Sequence, residues 1–282
     1  MKVITRTWLS QPEDAEFHIY PIGDFQIGNV NVNEKLLERV IKEIEQDPDA
    51  YWIGMGDYGD YINRSDKRFN PRTLAPWITV FDLGDIAAAQ MHRLDELLTP
   101  IAGKCLGLLT GNHEEDNYQH YERDVYSDLV TLIKQRGGFP CDHELALGYQ
   151  GYVQLGFYRM PNKQAGRRYT LSLHHGFGGG KRIGSKMNNM ELWLWTHECD
   201  VALFGHTHNS GAIPAGVEYV DMGQRIRTKK RWGCYTGTFL LDKTQGVDGY
   251  EVRKGMLPLP YGGCKLQIRP FQEERPIRVM ME

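Results

Sequence analysis

Tyr51-Trp52-Ile53-Gly54-Met55-Gly56-Asp57-Tyr58-Gly59-Asp60 is the stretch that decides how this chain folds. Its first five residues read as a short apolar strand, and that strand opens straight onto two glycines and two carboxylates. Upstream, Phe17-His18-Ile19-Tyr20-Pro21-Ile22 reads as another strand, with Pro21 favouring an edge or a strand end. Between the two, Asn33 can cap a helix on which Leu36, Leu37, Val40, Ile41 and Ile44 recur on one face. Strand, helix, strand is the beginning of an α/β arrangement.

The same grammar recurs outward from this stretch. The first strand ends in Gly23-Asp24-Phe25-Gln26, Cys105-Leu106-Gly107-Leu108-Leu109 leads to Gly111-Asn112-His113-Glu114, and Val201-Ala202-Leu203-Phe204 leads to Gly205-His206-Thr207-His208. A further alternating run ends in His174-His175-Gly176. Helices are expected over residues 83–98, 122–135 and 190–197, and a loop over 65–76. Alternation at 152–157 and 169–174 suggests antiparallel pairing around a turn at 161–166. Later strands are expected at 217–220, 234–241 and 266–268. The expected division is one large domain over 1–250, then an extension over 251–282 packed on it, which Pro258-Leu259-Pro260-Tyr261-Gly262-Gly263 helps to mark.

Composition narrows the class without naming it. The 282 residues can bury a large core, and 41% hydrophobic with 24% charged residues is ordinary for a globular protein. A net charge of -3 makes no global case for a nucleic-acid or membrane partner. Cys105, Cys141, Cys199, Cys234 and Cys264 are scattered, with no CxxC pair, which fits a reducing compartment. Without a signal-like or membrane-spanning run, the expected location is cytoplasmic.

Each strand exit carries metal-capable side chains. Asp24 and Gln26 alternate by two and face the same way on extended chain, and His206 and His208 repeat that spacing. Strand exits are where open α/β sheets place ligands. Singly these fragments are weak signals, but their ordered recurrence is a strong one. Together they resemble the calcineurin-like metallophosphoesterase superfamily, whose ordered signature is DxH, GDxxD, GNH, an isolated His and GHxH. The resemblance spans residues 17–209. It implies a two-sheet α/β sandwich flanked by helices, with two divalent metals at the strand ends.

By that resemblance Asp57 bridges the metals, one metal also taking Asp24, Gln26 and His208, the other Asn112, His175 and His206. His175 is preferred to His174 because the family's ligand commonly precedes a glycine, and strand alternation sends His174 to the opposite face. The chain departs from the pattern at Gln26, where the family usually has His; a Gln carbonyl is a neutral and poorer donor. His113 follows Asn112 and is expected to act without ligating, as general acid or as a cation at the leaving oxygen. Asp60 matches the family residue that orients it, with Glu114 a competing partner that could equally point to solvent. Carboxylate, amide and imidazole donors suit borderline divalent ions; manganese is the expected pair, with iron, zinc or nickel as alternatives. Two such metals activate water and stabilise an in-line displacement at phosphorus.

The expected function is therefore hydrolysis of phosphodiesters, in nucleic acid or nucleotides, by a monomer or homo-oligomer. The alternatives are a phosphomonoesterase acting on phosphoprotein or a small metabolite, and a non-catalytic scaffold. Two basic stretches tilt the reading toward a polyanion: residues 159–186, with seven cations and no carboxylate, and Arg225-Ile226-Arg227-Thr228-Lys229-Lys230-Arg231. The glycines of 177–186 suggest either a plain connection or a loop offering N–H groups to phosphate. Tyr58, Tyr61, Phe69, Trp77 and Tyr118 are either core or stacking surfaces.

Overall fold

Strands whose residues are apolar on successive positions must be covered on both faces, and that requirement sets the layering of this protein. The computed structural model describes residues 1–178, 182–241 and 261–281. Residues 179–181 of the glycine-rich segment, residues 258–260 of the proline-rich segment and the 250/251 boundary lie outside them. In chain order the strands are β1 (Lys2–Trp8), β2 (Phe17–Ile22), β3 (Ala50–Gly54), β4 (Cys105–Leu109), β5 (Ala146–Gly148), β6 (Gln150–Tyr158), β7 (Gly166–His174), β8 (Val201–Phe204), β9 (Ser210–Val220), β10 (Ile226–Thr236), β11 (Cys264–Ile268) and β12 (Ile277–Met281). The helices are α1 (Glu34–Gln46), α2 (Ile86–Leu98), α3 (Asn112–Tyr121), α4 (Val125–Arg136) and α5 (Ile183–Thr196).

The strands form two six-stranded mixed sheets, ordered β1-β6-β7-β8-β10-β9 and β12-β11-β2-β3-β4-β5. Alternation along each strand divides three cores. Phe17, Ile19, Ile53, Met55, Leu106 and Leu109 meet Val153, Leu155, Leu171, Leu173, Val201 and Leu203 between the sheets. Tyr20, Ile22 and Trp52 turn the other way, onto Leu37, Val40, Ile44, Leu94 and Leu98 of α1 and α2. Ala202 and Phe204 pack on Met190 and Leu194 of α5. The fold is thus an α/β two-sheet sandwich flanked by helices.

Parallel pairing brings the important ends to one edge. β2, β3 and β4 run parallel, as do β7, β8 and β10, with His174 opposite Phe204 and Phe204 opposite Tyr235. All five candidate motifs therefore leave their strands from carboxyl ends.

Several expectations shift for local physical reasons. The strand holding Pro21 lies inside its sheet, between β3 and β11. Proline is tolerated because β11 pairs only with Phe17, His18 and Ile19, so the missing N–H falls beyond that ladder. The helix expected over 122–135 starts at Val125, where Asp124 accepts from Ser127 N at 2.9 Å. Glu122, at φ 54°, instead ends α3. Helix α5 begins at Ile183 rather than at residue 190, so Lys186 is a buried helical residue and not part of a loop. The strand expected over 234–241 ends at Thr236 and begins at Ile226, so the second basic run is itself a strand.

The cap of α1 is as the side-chain chemistry demands: Asn33 Oδ1 accepts from Leu36 N at 3.2 Å. Asn33→Ala should lower unfolding stability by about 1 kcal/mol, read as a melting temperature about 2 °C lower, with metal content unchanged.

Candidate metal centre

The loops after β2 and β3 continue the parallel pairing past the strand ends. Asp24 N donates to Gly56 O at 2.9 Å, Gln26 N to Asp57 O at 3.0 Å, and Ile27 N to Tyr58 O at 3.0 Å. This seam places Asp24, Gln26 and Asp57, at 0%, 6% and 2% exposure, in one buried cluster. From the other sheet, His206 N donates to Asp24 Oδ2 at 2.9 Å, while His175 Nδ1 bonds to Met55 O at 2.7 Å.

Side-chain atoms then converge. His175 Nε2 lies 3.3 Å from Asp57 Oδ2 and 3.2 Å from Asn112 Oδ1, and the same Asn112 oxygen is 2.7 Å from His206 Nδ1. Asp57, His175 and His206 each offer a ligand atom within 4.8 Å of the others. Beside them, Gln26 Nε2 lies 3.2 Å from His208 Nε2 and 3.5 Å from His113 Nε2, and His208 Nε2 is 3.6 Å from Asp24 Oδ1. Turning the Gln26 amide over would present its oxygen to the same imidazole.

The donor chemistry fits a cation. With His175 Nδ1–H given to the Met55 carbonyl, its Nε2 lone pair faces two acceptor oxygens, and only a proton or a metal between them reconciles the three. The electrostatics say the same of the metal-free protein. Burial would depress the His175 pKa, but Asp57 outweighs it and pushes the imidazole up to about 10. Burial would raise Asp57, yet His175 and His113 hold it well below the usual carboxylate range. Burial raises Asp24 to about 8 and lowers His208 to about 4.

Backbone conformation marks the same residues. Asp24, Gln26, Asp57, His206 and His208 all have positive φ, from 49° to 63°. The left-handed region costs an ordinary residue about 1 kcal/mol or more, and clusters of such residues occur at functional sites. Gly111 is needed for a different reason, since a Cβ there would collide with the Asp57 carboxylate.

His113 stands beside the cluster. Its backbone N donates to Asp57 Oδ1 at 2.9 Å and its Nδ1 bonds to the Asp60 carbonyl at 2.6 Å, leaving Nε2 toward Gln26. The Asp60 carboxylate is farther, 3.7 Å from Nδ1, so the contact at hydrogen-bonding distance is made by the backbone of this residue. His174 points away, stacked on Phe204 at 5.6 Å and packed against Trp193.

Glu114 is the residue whose importance the sequence reading understated. It is 1% exposed, and its Oε2 accepts from Asp57 N (2.9 Å) and Gly111 N (2.8 Å) while Oε1 accepts from Tyr58 N (2.8 Å). One carboxylate thereby ties the second motif to the third. The available signal was a Glu at the third helical position after Gly111, the reach-back position of a capping box. Of the aromatics, Tyr58 and Tyr61 are core and Tyr118 is exposed. The second basic run is answered in part, Arg227 by Asp221, Lys229 by Glu198 and Asp200, and Arg231 by Glu198, whereas in the first run Arg159 pairs with Glu13.

A family model described as calcineurin-like phosphoesterase matches residues 17–210. The chain belongs to the calcineurin-like metallophosphoesterase superfamily. Among solved structures, a conserved uncharacterized protein from Streptococcus pneumoniae TIGR4, described as a predicted phosphoesterase, aligns at 10% identity with a TM-score of 0.33. That alignment covers 95% of this chain and 99% of the other. A metallophosphoesterase from Sphaerobacter thermophilus aligns at 12% identity with a TM-score of 0.36, over 94% of this chain and 88% of its own. No curated protein matches significantly. No helix among the described residues is long and apolar enough to cross a membrane.

Glu114→Gln keeps the shape but replaces one accepting oxygen with an N–H donor aimed at backbone N–H groups. It should cost about 1–3 kcal/mol in urea unfolding and lower the metal retained after dialysis. Unchanged stability and metal content would remove Glu114 from its organising position.

Proposed function

We propose that this protein is a metal-dependent phosphodiesterase whose centre takes two divalent ions. The observation that carries this reading is the convergence of Asp57 Oδ2, Asn112 Oδ1, His175 Nε2 and His206 Nδ1 in one buried cluster, where a metal ion would take the place of the His175 proton. Asn112, His175 and His206 would hold one ion, Asp24, Gln26 and His208 the other, with Asp57 between them. Oxygen and nitrogen donors without thiolate suit borderline divalent ions; manganese is the expected metal, with iron, zinc or nickel as alternatives. When bound, such ions polarise the phosphoryl group and make water a competent nucleophile near neutral pH.

The chain's own residues do the rest. Fixed at Nδ1 by the Asp60 carbonyl, His113 keeps Nε2 free beside Gln26. Its pKa is raised because Asp57 and Asp60 overcome the burial penalty, so it can carry a proton to a leaving oxygen or stabilise charge there. The substrate would be a phosphodiester such as a nucleotide ester or a nucleic acid. Cytoplasmic location and a monomeric or homo-oligomeric state remain the expectations of the sequence.

Bis(p-nitrophenyl) phosphate, p-nitrophenyl phosphate, and single- and double-stranded nucleic acid form the discriminating substrate panel. Turnover of the bis ester should require Mn2+, vanish with chelator and return on metal addition. Brisk monoester turnover with every diester inert would sink the phosphodiesterase reading.

His113→Ala should retain bound metal and lose about 10²–10⁴-fold in turnover, most for the poorest leaving group. Asp57→Ala should instead lose the metal itself. Full turnover by the His113 variant would take that residue out of the mechanism.

A further inference from the structure

His113, Asn117 and Tyr121 follow one another at four-residue steps along α3 and so share one face. The chain after Asp60 runs beside that face. The Asp60 carbonyl bonds to His113 Nδ1 at 2.6 Å, the Tyr61 carbonyl accepts from Asn117 Nδ2 at 3.5 Å, and Arg68 pairs with Asp116 at 3.0 Å. Next to this segment lies a cavity of about 350 Å³ whose lining includes Arg64, Ser65, Asp85, Asn117, Tyr121 and Arg123. That volume is at the low end of small-molecule sites. One four-residue step is about 6 Å along a helix, so the Asn117 wall of the cavity stands one turn beyond His113.

The cavity wall carries a polar group that the described residues leave unmet. Asn117 is 3% exposed, and with Nδ2 committed to Tyr61 its Oδ1 has no hydrogen-bond partner. A buried carbonyl in that state needs a donor. Arg123 is answered by Asp85 at 2.6 Å, whereas Arg64 has no carboxylate partner among the described residues. The site thus offers a buried acceptor, an unanswered guanidinium and the ring of Tyr121.

We propose that this cavity is a subsite for the base of a nucleotide ester, a proposal that rests on the phosphoesterase reading above. A base edge with an exocyclic amino group beside a ring nitrogen gives a donor for Asn117 Oδ1 and an acceptor for the Arg64 guanidinium. Its flat face suits the Tyr121 ring. A phosphoryl group beside His113 leaves about one helical turn for the sugar to span. The cavity has room for one base and not for a run of them.

Binding to the Mn2+-loaded protein, measured by calorimetry, tests this with adenosine 5′-monophosphate and methyl phosphate as probes. Adenosine 5′-monophosphate should bind at least about 10-fold more tightly, and Arg64→Ala and Asn117→Leu should each cut that ratio about five-fold. Arg64 is exposed, so its variant tests the subsite even if the buried Asn117 change disturbs folding. Equal affinity for the two probes, or a ratio unchanged by Arg64→Ala, overturns the proposal. Failure to hydrolyse every mono- and diester of the panel with the nucleotide preference intact would instead remove the phosphoesterase reading and leave the subsite standing.

Discussion

The seam between the loops after β2 and β3 is the contact on which the centre depends. It consists only of backbone bonds, from Asp24, Gln26 and Ile27 N to the carbonyls of Gly56, Asp57 and Tyr58, with Asp60 N returning one to Ile27 O. Parallel pairing of two buried strands fixes its register. The other motifs attach to this seam through further hydrogen bonds. Glu114 holds Asp57 N and Gly111 N together, His175 is anchored at Nδ1 by Met55 O, and His206 is tied by its backbone N to Asp24. A shift in any one of these would move several donors at once, which is why the sandwich and the centre form one mechanical unit.

Much of this was legible because it depends on local pattern. Continuous apolar runs announced β3, β4 and β8 to within a residue, and the side chains just after them named the chemistry. What stayed hidden depends on tertiary surroundings. Helix α3 is polar throughout and has no apolar period, so nothing in Asn112–Tyr121 resembles an amphipathic helix; its order comes from the buried Glu114 and from packing along the 60–68 loop. Strands β1 and β12 are half exposed and short of apolar runs, and they form by pairing with β6 and β11. Arg159, Arg227, Lys229 and Arg231 looked like free charge because their partners Glu13, Asp221, Glu198 and Asp200 lie outside the runs in sequence.

Strain and charge meet at the same residues, and each explains how the other is tolerated. Asp24, Gln26, Asp57, His206 and His208 present their side chains from a left-handed backbone and not from the extended chain that their spacing suggested. Such conformations persist only where the surroundings over-determine them. The surroundings here do so through backbone N–H and C=O groups, leaving carboxylate, amide and imidazole atoms to face one another. Those atoms repel or compete as acceptors when nothing lies between them, so a cation that binds them also relieves a cost built into the loops. The Gln26 position fits this logic. A neutral amide beside His208 and His113 adds no further charge to an already crowded pair of carboxylates and four imidazoles, and it can turn either end toward its neighbours. A cation taken up here would therefore be coupled to the fixed shape of these loops, and the groups that set that coupling lie as much on the backbone as among the side chains.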